Sequence, residues 1–165
     1  MLIRPFQEAD LPALRRMNTA AVPAVNDLTE DALHQLIRQS LACPVAIAQD
    51  RPVGFLLCLA EGLAYDSRNY RHLGQMRARF AYTDRICVDD SMRNQKVGEK
   101  LYQAVFQTVD PTGRSLVCEV NTRPPNPGSL RFHKRLGFTE IGEADHGDKA
   151  VVYLERPAVL GEAQA

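Results

Sequence analysis

The sequence predicts an α/β domain built on a mixed sheet, and three observations carry that expectation. Short apolar runs of strand length alternate with amphipathic stretches of helical period, and the second half reads strand–helix–strand–helix–strand. Turn clusters such as Asp50-Arg51-Pro52 and His146-Gly147-Asp148 fall between the runs. The 165 residues are enough for one core and show no internal repeat, low-complexity tract or composition break.

Taken in order, residues 1–5 read as a short first strand. Asp10 is expected to cap a helix through Leu11, Pro12, Leu14 and Met17. Thr29 opens a second helix with Glu30 and Asp31 in its first turn and Leu33, Leu36, Ile37 and Leu41 as its buried stripe. Residues 45–49 and 53–60 form a hairpin. The polar, aromatic and basic segment 61–79 has no clean period and reads as a long connection, functional or mobile. Residues 81–88 return to strand character. Residues 97–109 make the clearest helix, with Val97, Leu101, Ala104, Val105 and Thr108 on one face. A strand at 116–120 follows, and Pro124, Pro125 and Pro127 enforce an extended crossing. Ser129 is expected to cap a helix at 130–136, stopped by Gly137. Strands at 138–142 and 150–155 finish a domain spanning 1–157, and 158–165 read as a frayed tail.

Composition narrows the function classes. Twenty basic and twenty acidic residues cancel, so no global field favours nucleic acid or an anionic membrane. The four cysteines, Cys43, Cys58, Cys87 and Cys118, form no CxxC pair and no metal-ligand spacing with His34 or His72, so no metal site is expected. They read as small buried hydrophobes. The longest apolar run, 53–60, is too short to span a bilayer, and charges come early in the chain, so a cytoplasmic protein is expected. No serine or cysteine has a nucleophile context such as G-x-S-x-G.

Two segments carry chemistry. The first, Ile86-Cys87-Val88 through Arg93-Asn94-Gln95-Lys96-Val97-Gly98, runs from a strand through a polar turn into the best helix. Such a turn presents free backbone N–H groups at the positive end of the helix dipole, a cradle for pyrophosphate. Arg93, Lys96 and Lys100 add local positive charge, and the alternative is an ordinary junction with solvated charges. The second runs from Asn126 through Ser129, Phe132 and His133 to Gly137 and Phe138.

Together these segments resemble the cofactor core of the GNAT superfamily of N-acetyltransferases. Val88, Arg93 and Gly98 match its V-x(4)-[RQ]-x-x-G-x-[GA] turn, while Asn126, Phe132, Gly137 and Phe138 match its N-x-x-A-x-x-F-Y-x-x-x-G-F helix. Further stretches, Ala60 to Tyr70, Tyr82 to Ile86 and Glu119-Val120-Asn121 to Pro127, are similar to a little-characterised subgroup of predicted acetyltransferases. The resemblance implies a sheet of six or seven strands, splayed at the middle and flanked by about four helices. It implies acetyl-CoA as co-substrate, with backbone contacts from Ile86, Cys87 and Val88 to the pantetheine arm and amides of residues 93–98 on the pyrophosphate. Asn121, Asn126, Ser129 and Phe132 join this set through the matched motifs. A homodimer is a further expectation, since dimerisation is common in the superfamily.

Two positions depart from the family pattern. Lys96 replaces its first turn glycine, and a left-handed lysine there costs on the order of 1–2 kcal/mol, which a phosphate contact would offset. His133 stands where many members carry a tyrosine that protonates the departing sulfur.

Acetyl transfer to an amine needs a free lone pair. An alkylammonium of pKa about 10.4 is neutral in roughly one molecule per few thousand at pH 7, a deficit of about 4–5 kcal/mol. A carboxylate base is the remedy, with Glu119 and Asp84 ranked first and Glu61 and Asp66 in the long connection behind them. A backbone N–H near Val88 would meet the oxyanion. His133 is either the general acid or a structural imidazole bonded to a carbonyl; Tyr82 and Tyr102 stand in reserve. Tyr65, Asn69, Tyr70 and Tyr82 are candidates for the acceptor site, suiting a small polar amine or amino-acid-like molecule. Two rival readings remain, a non-catalytic acyl-CoA-binding regulatory module and an acyltransferase using a longer acyl chain.

Overall fold

The computed structural model describes residues 1–161, so part of the expected tail, 162–165, lies outside the described residues. The class is α/β, as expected: five helices among the described residues and a mixed sheet of seven strands in the order β1-β2-β3-β4-β5-β7-β6. The chain divides into two compact units, one of Met1–Leu59 with Thr83–Thr108, the other of Ala60–Tyr82 with Val109 onward.

In the first unit, β1 (Leu2–Pro5), β2 (Pro44–Ala48) and β3 (Arg51–Ala60) pair antiparallel in turn. Gln49 and Asp50 make the β2–β3 turn, both with positive φ (51° and 62°), the twist a two-residue hairpin requires. Every residue of the run Val53–Leu59 is buried, as a strand covered on both faces demands. Helix α1 (Leu11–Ala20) begins where predicted, but Asp10 does not cap it. Its backbone is already helical (φ −75°, ψ −22°), and its carboxylate takes two bonds from Arg4, at 2.7 and 2.9 Å, and one from the Gln7 N–H at 2.8 Å. A buried carboxylate goes to the guanidinium on β1 in preference to a helix amide, and those bonds hold it below its ordinary range. Helix α2 (Glu30–Gln39) has the expected cap, Thr29 Oγ1 accepting from the Ala32 N–H at 3.1 Å.

The later part of β4 (Phe80–Val88) carries Arg85, buried and fully engaged. Its guanidinium donates to Asp84 at 2.7 Å, to Asn18 Oδ1 at 2.6 Å and to Asn26 Oδ1 at 2.7 Å. Helix α1 and the connection to α2 are thereby fastened to β4.

Helix α4 (Val97–Val109) has the predicted bounds. Its buried face is Val97, Leu101, Tyr102, Val105 and Val109, so Thr108, expected on that face, is exposed instead. Tyr102 belongs to the core, its hydroxyl 3.3 Å from Thr83 Oγ1. Gly54 on β3 makes this packing feasible: a Cβ there would lie 3.0 Å from Val97 Cγ1 and 3.2 Å from the Cys87 carbonyl oxygen.

In the second unit, β5 (Ser115–Arg123) runs parallel to the start of β4, from Phe80↔Ser115 to Tyr82↔Val117. Antiparallel to β5 lies β7 (Ala150–Arg156), and antiparallel to β7 lies β6 (Thr139–Asp145). The supposed connection 61–79 contains a helix, α3 (Arg68–Met76), capped by Ser67 Oγ accepting from the Tyr70 N–H. Only Tyr70 and Leu73 of it are buried, a stripe too short to declare a period. Helix α5 (Pro127–Arg135) starts three residues earlier than expected. Its cap is Asn126, whose Oδ1 accepts from the Ser129 N–H at 3.2 Å, and Pro127 occupies the first position, where a missing N–H is harmless.

Gly54→Ala is expected to overpack the contact with Val97 and to destabilise the protein by about 1–3 kcal/mol. Urea unfolding with an unchanged m-value checks this; wild-type stability would mean that Val97 and β4 give way freely.

Candidate functional site

The first unit holds the turn after β4. Asp89 accepts from the Ser91 N–H at 2.9 Å and the Ser91 hydroxyl at 2.7 Å, shaping a short 3-10 turn over Asp90–Met92. Asn94 and Lys96 both adopt left-handed backbone, φ +64° and +59°. The glycine-like conformation foreseen for Lys96 is therefore present, with a lysine in it. The Lys96 carbonyl accepts from the Lys100 N–H at 3.1 Å, which makes Lys96 the residue at which α4 begins. The amides of Val97, Gly98 and Glu99 follow in the helix's first turn, where N–H groups lack intrahelical partners.

These features fit an anionic ligand. Lys96 and Lys100 are exposed beside the helix end, although the acidic Glu99 in the same turn works against them. Arg93 and Gln95, also expected to offer amides, turn theirs toward the carbonyls of Asp90 and Met92, at 3.4 Å each. The Arg93 guanidinium pairs with Asp90 at 3.1 Å on the surface. Upstream, Cys87 is buried and desolvation pushes its thiol up to about 11, while Ile86 is half-buried and Val88 is exposed. Val88 also borders an open cavity of about 500 Å³ with Arg16, Met17, Arg51, Pro52 and Asp89. The part α1 plays there had no sequence signal.

The second unit gathers the carboxylate chemistry. Glu119 on β5 receives the Tyr82 hydroxyl at 2.8 and 2.9 Å from its two oxygens and the Asn69 Nδ2 at 3.2 Å. Since an ionised carboxylate only accepts, the Asn69 amide must turn its nitrogen toward Glu119. Its Oδ1 then faces the Tyr153 hydroxyl at 2.9 Å and His146 Nε2 at 3.3 Å, both of which must donate. Burial raises the Tyr153 pKa, with the Glu119 charge adding to the effect. His72 stacks flat on the Tyr153 ring, centroids 4.4 Å apart. Tyr153, His146 and His72 were not foreseen; they come from three separate parts of the chain.

The other carboxylates meet arginines. Asp84 pairs with Arg85 at 2.7 Å, both side chains almost fully buried, in the first unit. Glu61 takes two bonds from Arg114, at 3.0 and 3.2 Å. Burial works to raise the Glu61 pKa, yet Arg114 and neighbouring backbone donors bring it below the ordinary range. Asp66 is exposed and pairs with Arg71 at 2.7 Å.

His133 is 5% exposed, and its Nδ1 lies 2.8 Å from the Ser129 carbonyl oxygen. With Nδ1–H donated there, the imidazole sits edge-on to Phe132 and Phe138. Desolvation lowers its pKa, only partly opposed by the Ser129 carbonyl. Ser129 thus serves His133 as well as the helix start, while Asn126 caps the helix and its N–H donates to the Asn121 carbonyl at 3.1 Å. Tyr70, expected at an acceptor site, is an interior residue: its hydroxyl donates to the Ala60 carbonyl at 2.6 Å, and its ring meets Tyr65, Phe80 and Tyr82 edge-on. It anchors the segment before α3, whereas Tyr65 and Asn69 are half-buried.

The acetyltransferase (GNAT) family profile matches residues 11–138. Among solved structures, Ard1 from Thermoplasma volcanium is similar with a TM-score of 0.77 at 19% identity, covering 96% of this chain and 98% of that one. The ribosomal-protein-S18-alanine N-acetyltransferase from Escherichia coli has a TM-score of 0.72 at 17% identity, covering 99% and 98%. An aminoglycoside 6'-N-acetyltransferase complexed with coenzyme A has a TM-score of 0.74 at 14% identity, covering 99% and 100%. Identities this low establish the fold alone. No curated protein matches the sequence. With its sheet, its turn into α4 and a family match over most of its length, the chain belongs to the acetyltransferase (GNAT) family.

Proposed function

We propose that this protein transfers the acetyl group of acetyl-CoA directly to a primary amine of a small-molecule or amino-acid-like acceptor, with Glu119 as general base. One observation carries the assignment of the base: the Tyr82 hydroxyl and the Asn69 amide both donate to the Glu119 carboxylate and orient it, and Glu61, Asp66 and Asp84 are each bound by an arginine. A guanidinium at bonding distance stabilises the ionised carboxylate and makes it a poor proton acceptor. Neutral donors orient the group with less loss of basicity. The neighbours named above include N-acetyltransferases of a ribosomal-protein alanine and of an aminoglycoside, the latter with coenzyme A bound.

Acetyl-CoA supplies an activated thioester. On this chain, the α4 amides of Val97, Gly98 and Glu99 with Lys96 and Lys100 would hold its phosphates, and the backbone of Ile86–Val88 would meet the pantetheine arm. Glu119 takes a proton from the ammonium of the acceptor, directly or through water, and the freed lone pair attacks the carbonyl carbon. A backbone N–H near Val88 meets the developing oxyanion, and collapse expels the thiolate, which takes up the second proton shed by the amine nitrogen. No covalent acyl-enzyme is required.

Of the two roles open to His133, the pocket-shaping one has the stronger support. Desolvation lowers its pKa and so favours a neutral ring at pH 7, and its Nδ1–H is already committed to the Ser129 carbonyl. An alkyl thiol of pKa about 8.5 is also a leaving group that needs little protonation. One feature favours the non-catalytic alternative, the left-handed Lys96 inside the phosphate turn. Thermal shift with coenzyme A combined with thiol release decides between them, since binding without turnover on any amine is the signature of a regulatory module.

Three outcomes are expected. Glu119→Gln should lower kcat/KM by about 10²–10⁴-fold on amine acceptors, screened with amino-acid amides, an alanine-initiated peptide and an aminoglycoside. Unchanged turnover would remove Glu119 from the mechanism. Lys96→Gly should stabilise the free protein by roughly 1 kcal/mol while weakening coenzyme A binding, read by urea unfolding and calorimetry. Tighter binding would mean that the ammonium contributes nothing to the cradle. His133→Phe should keep kcat within the same order and leave the acidic limb of its pH profile in place; a loss on the order of 10²-fold would make His133 the proton donor.

A further inference from the structure

We propose that Asn69 is a positioning residue: its amide, fixed in one sense by Tyr153 and His146, orients the Glu119 carboxylate for proton transfer. The proposal rests on the reading of Glu119 as base.

The argument begins with α3, the helix between β3 and β4. It delivers Asn69 to β5, where its Nδ2 donates to Glu119 Oε1. A primary amide is nearly symmetric in shape, so this donation lasts only if the opposite face is held. Two donors hold it: the hydroxyl of Tyr153, on the fully buried core of β7, and His146 Nε2, from the turn between β6 and β7. If the amide reversed, its oxygen would face the carboxylate, acceptor against acceptor, and the Tyr153 hydroxyl and His146 would both have to turn from donor to acceptor. Tyr82 fixes the carboxylate from β4 by spanning both oxygens. Donors from α3 and β4 thus bear directly on the carboxylate, and β7 and the β6–β7 turn act through Asn69. The titratable and charged groups around this site are Tyr82, Tyr153, His146, His72 stacked on Tyr153, and Arg68, whose charge acts on Tyr153.

A residue that merely joined α3 to β7 would leave the carboxylate unaffected, and this difference is measurable without an acceptor. Protein labelled with ¹³C at the glutamate side-chain carboxyl is titrated by NMR, and the Glu119 signal is assigned by its loss in Glu119→Gln. In Asn69→Ala the Glu119 midpoint should rise by roughly half to one pH unit, the loss of one donor to the charged form. Tyr153→Phe, which deletes only an oxygen, should also raise it, and should have no effect when Asn69 is already alanine. Should Asn69→Ala fail to fold, Tyr153→Phe decides alone. On whichever panel amine is turned over, the acidic limb of kcat/KM should move with the midpoint in the same variants. A Glu119 midpoint unmoved in the folded variants overturns the positioning role and leaves the base assignment intact. Full turnover by Glu119→Gln overturns the base assignment and leaves the titration result standing.

Discussion

A half-buried carboxylate on a central strand has to be matched by donors, and the second unit is organised around that requirement at Glu119. Asn69 on α3 and Tyr82 on β4 reach it directly, and His146 and Tyr153, from the β6–β7 hairpin, reach it through Asn69. Donors of modest strength suit a group that must change its protonation state. Elsewhere the chain meets the same problem with arginine, at Asp10, Asp84 and Glu61.

The two units differ in the kind of group that their candidate residues present. The first offers backbone: the end of β4, a turn with two left-handed residues and the opening of α4. Main-chain recognition of an anion needs few particular side chains. Gly54 lets Val97 sit against the hairpin and so seats the start of α4 on β3. The second unit offers side chains, and there the chain shows its individuality.

Much of the fold could be read from residue patterns. The bounds of α4, the Thr29 cap and the β2–β3 hairpin follow from local chemistry acting over a few residues. The turn into α4 was equally visible, and the left-handed backbone at Lys96 follows from the glycine that the family pattern has there. At two helix starts, a neighbour within a few residues took the place of the expected cap. Asp10 went to Arg4 on β1, and Asn126 displaced Ser129 as a cap because proline could enter the first helical turn. Helix α3 was missed because nine residues carry only two buried side chains. Asn69 could be named as a candidate, but its partners lie 50, 77 and 84 residues away, beyond any periodicity.

The four cysteines, all buried, acquire a meaning beyond packing once a thioester is considered. Thioesters acylate thiolates readily, and a protein that handles one runs the hazard of modifying itself. Cys87 is the most exposed to that hazard by position, lying between Ile86 and Val88 on the strand proposed to meet the pantetheine arm. Burial removes the reactive form: its thiol is pushed up to about 11, and that of Cys43 up to about 12. Under the proposed binding of acetyl-CoA along β4, the burial that packs Cys87 also guards it against self-acylation.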